Sequence, residues 1–159
     1  MSKLLSLVIL CLLVVIFSAI SGQFTGGEWY QEMNHPAWSP SAAVMAIVWA
    51  VLYALMALSA WMVWDTKRSL AGAAIGWWVL QLFLGVVWSF TYFGLHRIGW
   101  AMVVIGVWLF VVMIVIEAFG SIKSQAGHMM KPVAAWLLFS LVLNFAQWRM
   151  NGGSISSVF

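Results

Sequence analysis

The sequence predicts an all-α integral membrane protein, a bundle of five transmembrane helices. Composition carries the first part of this: of 159 residues, 65% are hydrophobic and only 7% charged, with a mean hydropathy of +1.03. An ordinary soluble domain is about 25% charged, so too few charges are present to cover a water-facing surface. The second observation is that the apolar residues form long unbroken runs. A transmembrane β-barrel would instead alternate apolar and polar residues over roughly ten-residue stretches. The third is length: a spanning helix needs roughly 20 apolar residues, so five spans with short loops use nearly the whole chain and leave one domain, 1–159.

The first apolar run, 4–22, follows Lys3. Its basic start, apolar centre and Ser18-Ala19-Ile20-Ser21-Gly22 end also fit a cleavable leader. A retained first span is the favoured reading, because the later spans need a starting side. Residues 23–42 form a polar, aromatic loop with Glu28, Trp29, Tyr30, Glu32, Pro36, Trp38 and Pro40. It is the one long stretch that is not simply apolar, and it runs directly into the second span, 43–64. Together they read as a lid, Trp29 to Pro40, joined to a pocket wall, Met45 to Tyr53.

On the second span Trp49, Tyr53, Met56, Ala60 and Trp64 recur at helical spacing and share a face. A charged turn, Asp65 to Ser69, precedes the third span, 70–93. That span opens with Gly72-x-x-x-Gly76, a spacing that lets helices approach closely. Gln81, Gly85, Trp88 and Tyr92 then fall on one face. A short turn with His96 and Arg97 leads to the fourth span, 100–119. Residues 120–131 read as a polar loop, and Pro132 suits the first turn of the fifth span, 132–150. There Trp136, Ser140, Asn144 and Gln147 share a face. The Gly- and Ser-rich tail from Asn151 is expected to be mobile.

Five spans place Lys3, Lys67, Arg68, Lys123 and Lys131 on one side, and Arg97 and Arg149 on the other. The positive-inside rule then puts the N-terminus in the cytoplasm of a bacterial cell membrane. The formal net charge of +3 forms no basic stripe of the kind nucleic acid requires. Cys11 is alone, which excludes an internal disulfide. His35, His96 and His128 sit in three loops without ligand spacing, so no metal site is expected. Glu117 reads as an acid snorkelling at a span end near Lys123.

Twelve tryptophans remain to be placed. An interfacial belt accounts for Trp29, Trp38, Trp64, Trp77, Trp78, Trp100 and Trp148, near predicted span ends. It accounts less well for Trp49, Trp88, Trp108 and Trp136. Gln81, Ser140 and Asn144 are costly in lipid and should face the bundle interior. Aromatics with a few polar groups describe either a pocket for a flat, mostly apolar ligand or simple interhelical hydrogen bonding.

These residues resemble the TspO/MBR family, the translocator and tryptophan-rich sensory proteins also known as peripheral benzodiazepine receptors. The resemblance rests on Trp29-Tyr30, Pro36-Ala37-Trp38-Ser39-Pro40, Val48-Trp49, Leu52-Tyr53, Gln81-Leu82, Trp88-Ser89 and Gly99-Trp100-Ala101. It continues through Trp108-Leu109, Ala126-Gly127, Lys131-Pro132, Trp136 and Leu143-Asn144-Phe145. It implies a five-helix bundle, often a homodimer, with the first loop over a pocket. It implies a receptor for porphyrins such as protoporphyrin IX and haem, bound as ligands with no required cofactor, and a role in tetrapyrrole transport or regulation. Light- or oxidant-dependent porphyrin breakdown, a small transporter or a scaffold are the alternatives.

Mapped by motif, the ligand-binding positions would be Tyr30, Trp38, Pro40, Met45, Trp49, Tyr53, Gln81, Gly85, Trp88, Trp136, Ser140 and Asn144. Trp49 and Trp136 would be the catalytic pair if porphyrin is degraded. The chain departs from the usual family pattern at Ser41 (proline), Ala43 (Trp), Met45 (Phe), Gly85 (Asn) and Val133 (Tyr). The sterol-motif segment Leu143-x-Phe145-x-x-x-Arg149 has Phe in place of the required Tyr.

Overall fold

Lipid offers the backbone no hydrogen-bond partners, so a spanning segment must satisfy its own amides as helix. The apolar runs do so. The computed structural model describes residues 2–24, 27–66 and 69–153. Gly26, Lys67, Arg68 and the tail beyond 153 lie outside them.

Six α-helices follow in chain order: α1 (Lys3–Gly22), α2 (Gly27–Glu32), α3 (Ala42–Trp64), α4 (Ala71–Ser89), α5 (Ile98–Ile122) and α6 (Ser124–Met150). A π-helical turn, Phe90–Gly94, extends α4. Five of these are long and apolar enough to cross a membrane, from 20 residues in α1 to 27 in α6. At 1.5 Å per residue the shortest is about 30 Å long, the thickness of a bilayer core. Serines start two of them: Ser2 Oγ accepts from the Leu5 amide at 3.2 Å and Ser41 Oγ from the Val44 amide at 3.3 Å. Ser41 therefore starts α3 with a side-chain cap.

Helices α3, α4, α5 and α6 form a ring, each packed on the next and α6 returning to α3, while α1 lies outside against α3 and α4. The ring's interior is built from residues at helical spacing: Met56, Ala60 and Val63; Trp78 and Gln81; Val112, Val115 and Phe119; Met130, Val133 and Leu137. The outer surface is equally apolar, with Ile47, Phe83, Phe110 and Leu138 exposed. Such a surface would be a liability in water and is solvated by lipid tails here. Helix α1 buries only Ser6, Leu10 and Val14. It is tied at one end by the Lys3–Asp65 ion pair at 2.9 Å and by Trp61 Nε1 donating to the Lys3 carbonyl at 3.1 Å.

Three expectations are corrected. The stretch 120–131 is not a loop: α5 runs to Ile122, α6 begins at Ser124, and only Lys123 is extended, with φ −149°. The polar residues there are exposed faces of two helix ends. Gly127 makes this hairpin possible, since a Cβ at that position would stand 2.7 Å from the Gly120 Cα. Pro132 consequently lies inside α6, not in its first turn. It leaves the carbonyl of His128 without the usual helical donor. Trp78, assigned to the interfacial belt, is fully buried, and its indole N–H has no partner. Proximity to a span end in the sequence did not distinguish an inward from an outward face. Glu117 is exposed on α5 and forms no ion pair among the described residues.

Candidate functional site: a lidded aromatic cleft

At the end of the bundle remote from Lys3 and Asp65, α3, α4 and α6 enclose a cleft that α2 covers. Its aromatic walls are Trp49 from α3, Trp88 from α4, Tyr92 and Phe93 from the π-helical turn, and Tyr30 from α2. Met45, Leu143, Ser140, Asn144 and Gln147 complete the lining. With the lid closed the cavity is only about 30 Å³, room for about one water and far below the roughly 300–1,000 Å³ of small-molecule sites, so a ligand could be held only once the lid and walls move apart. No charged residue lines it.

Polar side chains fix the wall. Trp88 Nε1 donates to Asn144 Oδ1 at 3.3 Å, and Asn144 Nδ2 donates to the Ile98 carbonyl at 3.0 Å. Asn144 thus holds the Trp88 indole and the start of α5 together, with both halves of its amide used. Trp88 stacks on Tyr92 with ring centroids 5.3 Å apart. On the opposite wall Trp49 stacks nearly parallel on Trp108, 5.8 Å away and 9° apart in plane. Trp108 donates from Nε1 to Gln81 Oε1 at 3.1 Å. It reaches that position because residue 85 has no side chain: a Cβ on Gly85 would stand 2.9 Å from the Trp108 ring. The notch at Gly85 is therefore filled by a tryptophan from the next helix.

The lid is latched by hydrogen bonds. Asn34 and Asn151 pair reciprocally, the Asn34 amide donating to Asn151 Oδ1 and Asn151 Nδ2 donating to the Asn34 carbonyl, each at 2.9 Å. One placement of hydrogens satisfies the rest. The Tyr92 hydroxyl donates to Gln147 Oε1 at 2.7 Å. Gln147 Nε2 donates to His35 Nδ1 at 3.0 Å, and His35 Nε2–H donates to the Tyr30 carbonyl at 2.7 Å. Above the cleft Trp29 stacks on His96 at 4.1 Å, and Tyr30 meets Phe93 edge-on at 5.5 Å.

The expected site residues divide into three groups. Tyr30, Met45, Trp49, Trp88, Ser140 and Asn144 line the cleft. Tyr53, Gln81 and Gly85 lie behind its wall: Tyr53 packs on Trp49 at 5.5 Å, and Gln81 and Gly85 hold Trp108. Trp38, Pro40 and Trp136 stand to one side. Trp38 and Trp136 both pack on Phe139, at 5.8 and 5.0 Å, and the Trp136 indole N–H is buried without a partner. Pro40 immediately precedes the Ser41 cap of α3. Of the two tryptophans expected to act if porphyrin is degraded, Trp49 lines the cleft and Trp136 does not.

Four lining residues were not expected. Helical spacing already puts Tyr92 on the Trp88 face and Gln147 on the Asn144 face, but neither is among the motif-mapped binding positions. Phe93 is turned inward by the π-helical turn, which sequence periodicity does not announce. Leu143 is one apolar residue among many. Among the described residues no group of His, Cys, Asp or Glu could hold a metal ion.

The sequence pattern of the TspO/MBR family matches residues 7–149, nearly the whole chain. This chain belongs to the TspO/MBR family. It is 34% identical to the tryptophan-rich sensory protein of Cereibacter sphaeroides over 125 residues, covering 78% of this chain and 77% of that one. It is 32% identical to protein CrtK of Rhodobacter capsulatus over 132 residues, 82% of each chain. It is 29% identical to the human translocator protein over 140 residues, 84% of this chain and 83% of that one. Membership and the five long apolar helices together make this TspO/MBR protein a multi-pass integral membrane protein.

Proposed function

We infer that the lidded cleft is a binding site for a flat, largely apolar small molecule, with a porphyrin of the protoporphyrin IX or haem type as the ligand. The observation that carries this is the cleft itself: two indoles, Trp49 and Trp88, and the neutral polar residues Ser140, Asn144 and Gln147 line one space under a latched lid. Indole faces suit a planar conjugated ring. The neutral edge can hydrogen-bond a substituent, but the lining holds no cation. Carboxylates on a macrocycle would therefore face outward past the lid. The cleft is narrow with the lid latched, so entry requires the lid to lift, and capture and release of the ligand would be the step through which transport or regulation operates.

Titrating the purified protein in detergent with protoporphyrin IX tests this. Tryptophan emission should be quenched saturably, and Trp49→Phe and Trp88→Phe should each remove part of the quench. Linear, unsaturable quenching would rule the site out.

The same reading places this protein in a bacterial cell membrane. Lys3, Lys123 and Lys131 would lie on the cytoplasmic side, with the lid opposite. It also carries a homodimer through the outer face of α4. Gly72 and Gly76 are exposed there, with nothing within 4 Å of an added Cβ. Gly72→Leu with Gly76→Leu should shift the protein from dimer to monomer in cross-linking. A dimer that persists in this variant would put the interface elsewhere.

A further inference from the structure

A second cleft lies outside the bundle at the same end, sharing no lining residue with the first. Thr91, Leu95, Arg97, Trp100 and Val104 line it, around about 760 Å³ of open space. The turn between α4 and α5 builds it. After the π-helical turn, the Leu95 amide donates to the Phe90 carbonyl at 2.8 Å and the Arg97 amide to the Thr91 carbonyl at 3.0 Å. His96 between them takes a positive φ of 56°. The Arg97 carbonyl in turn accepts from the Ala101 amide at 2.9 Å at the start of α5. Backbone hydrogen bonds on both sides thus fix where the arginine leaves the chain.

The chemistry is split. Arg97 is exposed and forms no ion pair among the described residues; neither Glu28 nor Glu32 of α2 reaches it. Of the other walls, Thr91 is nearly buried and its hydroxyl is turned back to the Val87 carbonyl at 2.7 Å, and the rest are apolar, with Leu95 and Trp100 about half exposed. From the cleft a row of exposed apolar residues runs down α5: Trp100, Val103, Val107 and Phe110, at steps of three, four and three on one helix face. A guanidinium at the polar end of an apolar channel matches an amphiphile whose phosphate meets the cation and whose tail follows the helix. Tryptophan at headgroup depth completes the match. A soluble phosphate would leave the apolar walls uncovered.

We propose that the Arg97–Trp100 cleft is a binding site for one phospholipid with an anionic headgroup. Its phosphate pairs with Arg97, and one acyl chain lies along Val104, Val107 and Phe110. The lipid sits against the turn that carries the cleft residues Tyr92 and Phe93, so it braces the wall of the lidded site from outside.

Native mass spectrometry of the purified full chain in detergent tests this, with phosphatidylglycerol and phosphatidylcholine of identical acyl chains as probes. The wild type should retain one phosphatidylglycerol, with a preference over phosphatidylcholine of roughly fivefold, as expected for one basic group at an anionic surface. Arg97→Gln should abolish the preference. Val104→Trp, which fills the cleft and leaves the charge, should abolish retention. Arg149→Gln should change neither, since Arg149 lies elsewhere and donates to the Gly153 carbonyl at 3.5 Å. Equal retention of the two lipids by the wild type overturns the proposal. So does a preference that survives Arg97→Gln, retention that survives Val104→Trp, or displacement of the lipid by equimolar glycerol phosphate.

Discussion

Gly127→Ala is expected to destabilise this protein strongly, although it adds a single methyl group to a helix. The added Cβ would stand 2.7 Å from the Gly120 Cα, 2.8 Å from the Gly120 amide nitrogen and 2.8 Å from the Ile116 carbonyl oxygen. All three are backbone atoms, so no side-chain rotation can relieve the contact and α5 and α6 must move apart. Those two helices share the most extensive packing in the ring. Overpacking of this kind costs about 2–3 kcal/mol, or on the order of 5–10 °C in midpoint for a chain of this size. Gly120→Ala is the matched control. Nothing lies within 4 Å of a Cβ there, and replacing a helical glycine by alanine gains up to about 1 kcal/mol in propensity. Thermal unfolding in detergent separates the two. Equal midpoints for both variants would mean that the close approach at Gly127 does not hold the hairpin.

Gln147→Leu is expected to unlatch the lid without unfolding the bundle. Gln147 links the buried Tyr92 hydroxyl to His35, and it uses both ends of its amide to do so. Leucine removes two hydrogen bonds and leaves the Tyr92 hydroxyl unsatisfied. Only the Gln147–His35 bond crosses to the lid, so at about 0.5–1.5 kcal/mol for that bond the lid's open population rises roughly two- to tenfold. Amide hydrogen exchange should accelerate by that factor in lid peptides covering residues 27–40 and stay unchanged in α5. Asn151→Ala, which breaks the reciprocal pairing with Asn34, should act in the same direction. Lid exchange as slow as in the wild type would show that aromatic packing at Trp29 and Tyr30, not the hydrogen bonds, closes the site.

Much of the fold was legible because a bilayer imposes a simple code: length and apolarity identify spans, and polar residues within them mark the interior. Gln81, Ser140 and Asn144 were placed inward on that ground and are buried. Where the code has no symbol, the reading went astray. Polarity cannot tell a loop from a helix that outruns the membrane, which is why 120–131 was read as a loop. A tryptophan near a span end fits an interfacial belt and a packed interior equally, which is why Trp78 was misplaced. The cleft's wall depends on two local departures, the π-helical turn at Phe90–Gly94 and the notch at Gly85. The first redirects Phe93, and the second admits Trp108. Neither has a periodic signature. The latch joins Asn34 to Asn151 and His35 to Gln147, more than a hundred residues apart, and one sequence offers no means of pairing such residues.

The central claim is that the space between Trp49, Trp88 and Ser140 receives the macrocycle. Protoporphyrin IX titration of Ser140→Phe, beside the wild type, tests it most directly. Ser140 is buried in the cleft lining, and a phenyl ring there occupies the place of the ligand. Met45→Trp fills the same space from α3. The wild type should bind saturably with one porphyrin per chain, and both variants should bind at least about tenfold more weakly, a loss of about 1.4 kcal/mol, while still unfolding cooperatively on heating. Wild-type affinity in both folded variants would contradict the assignment.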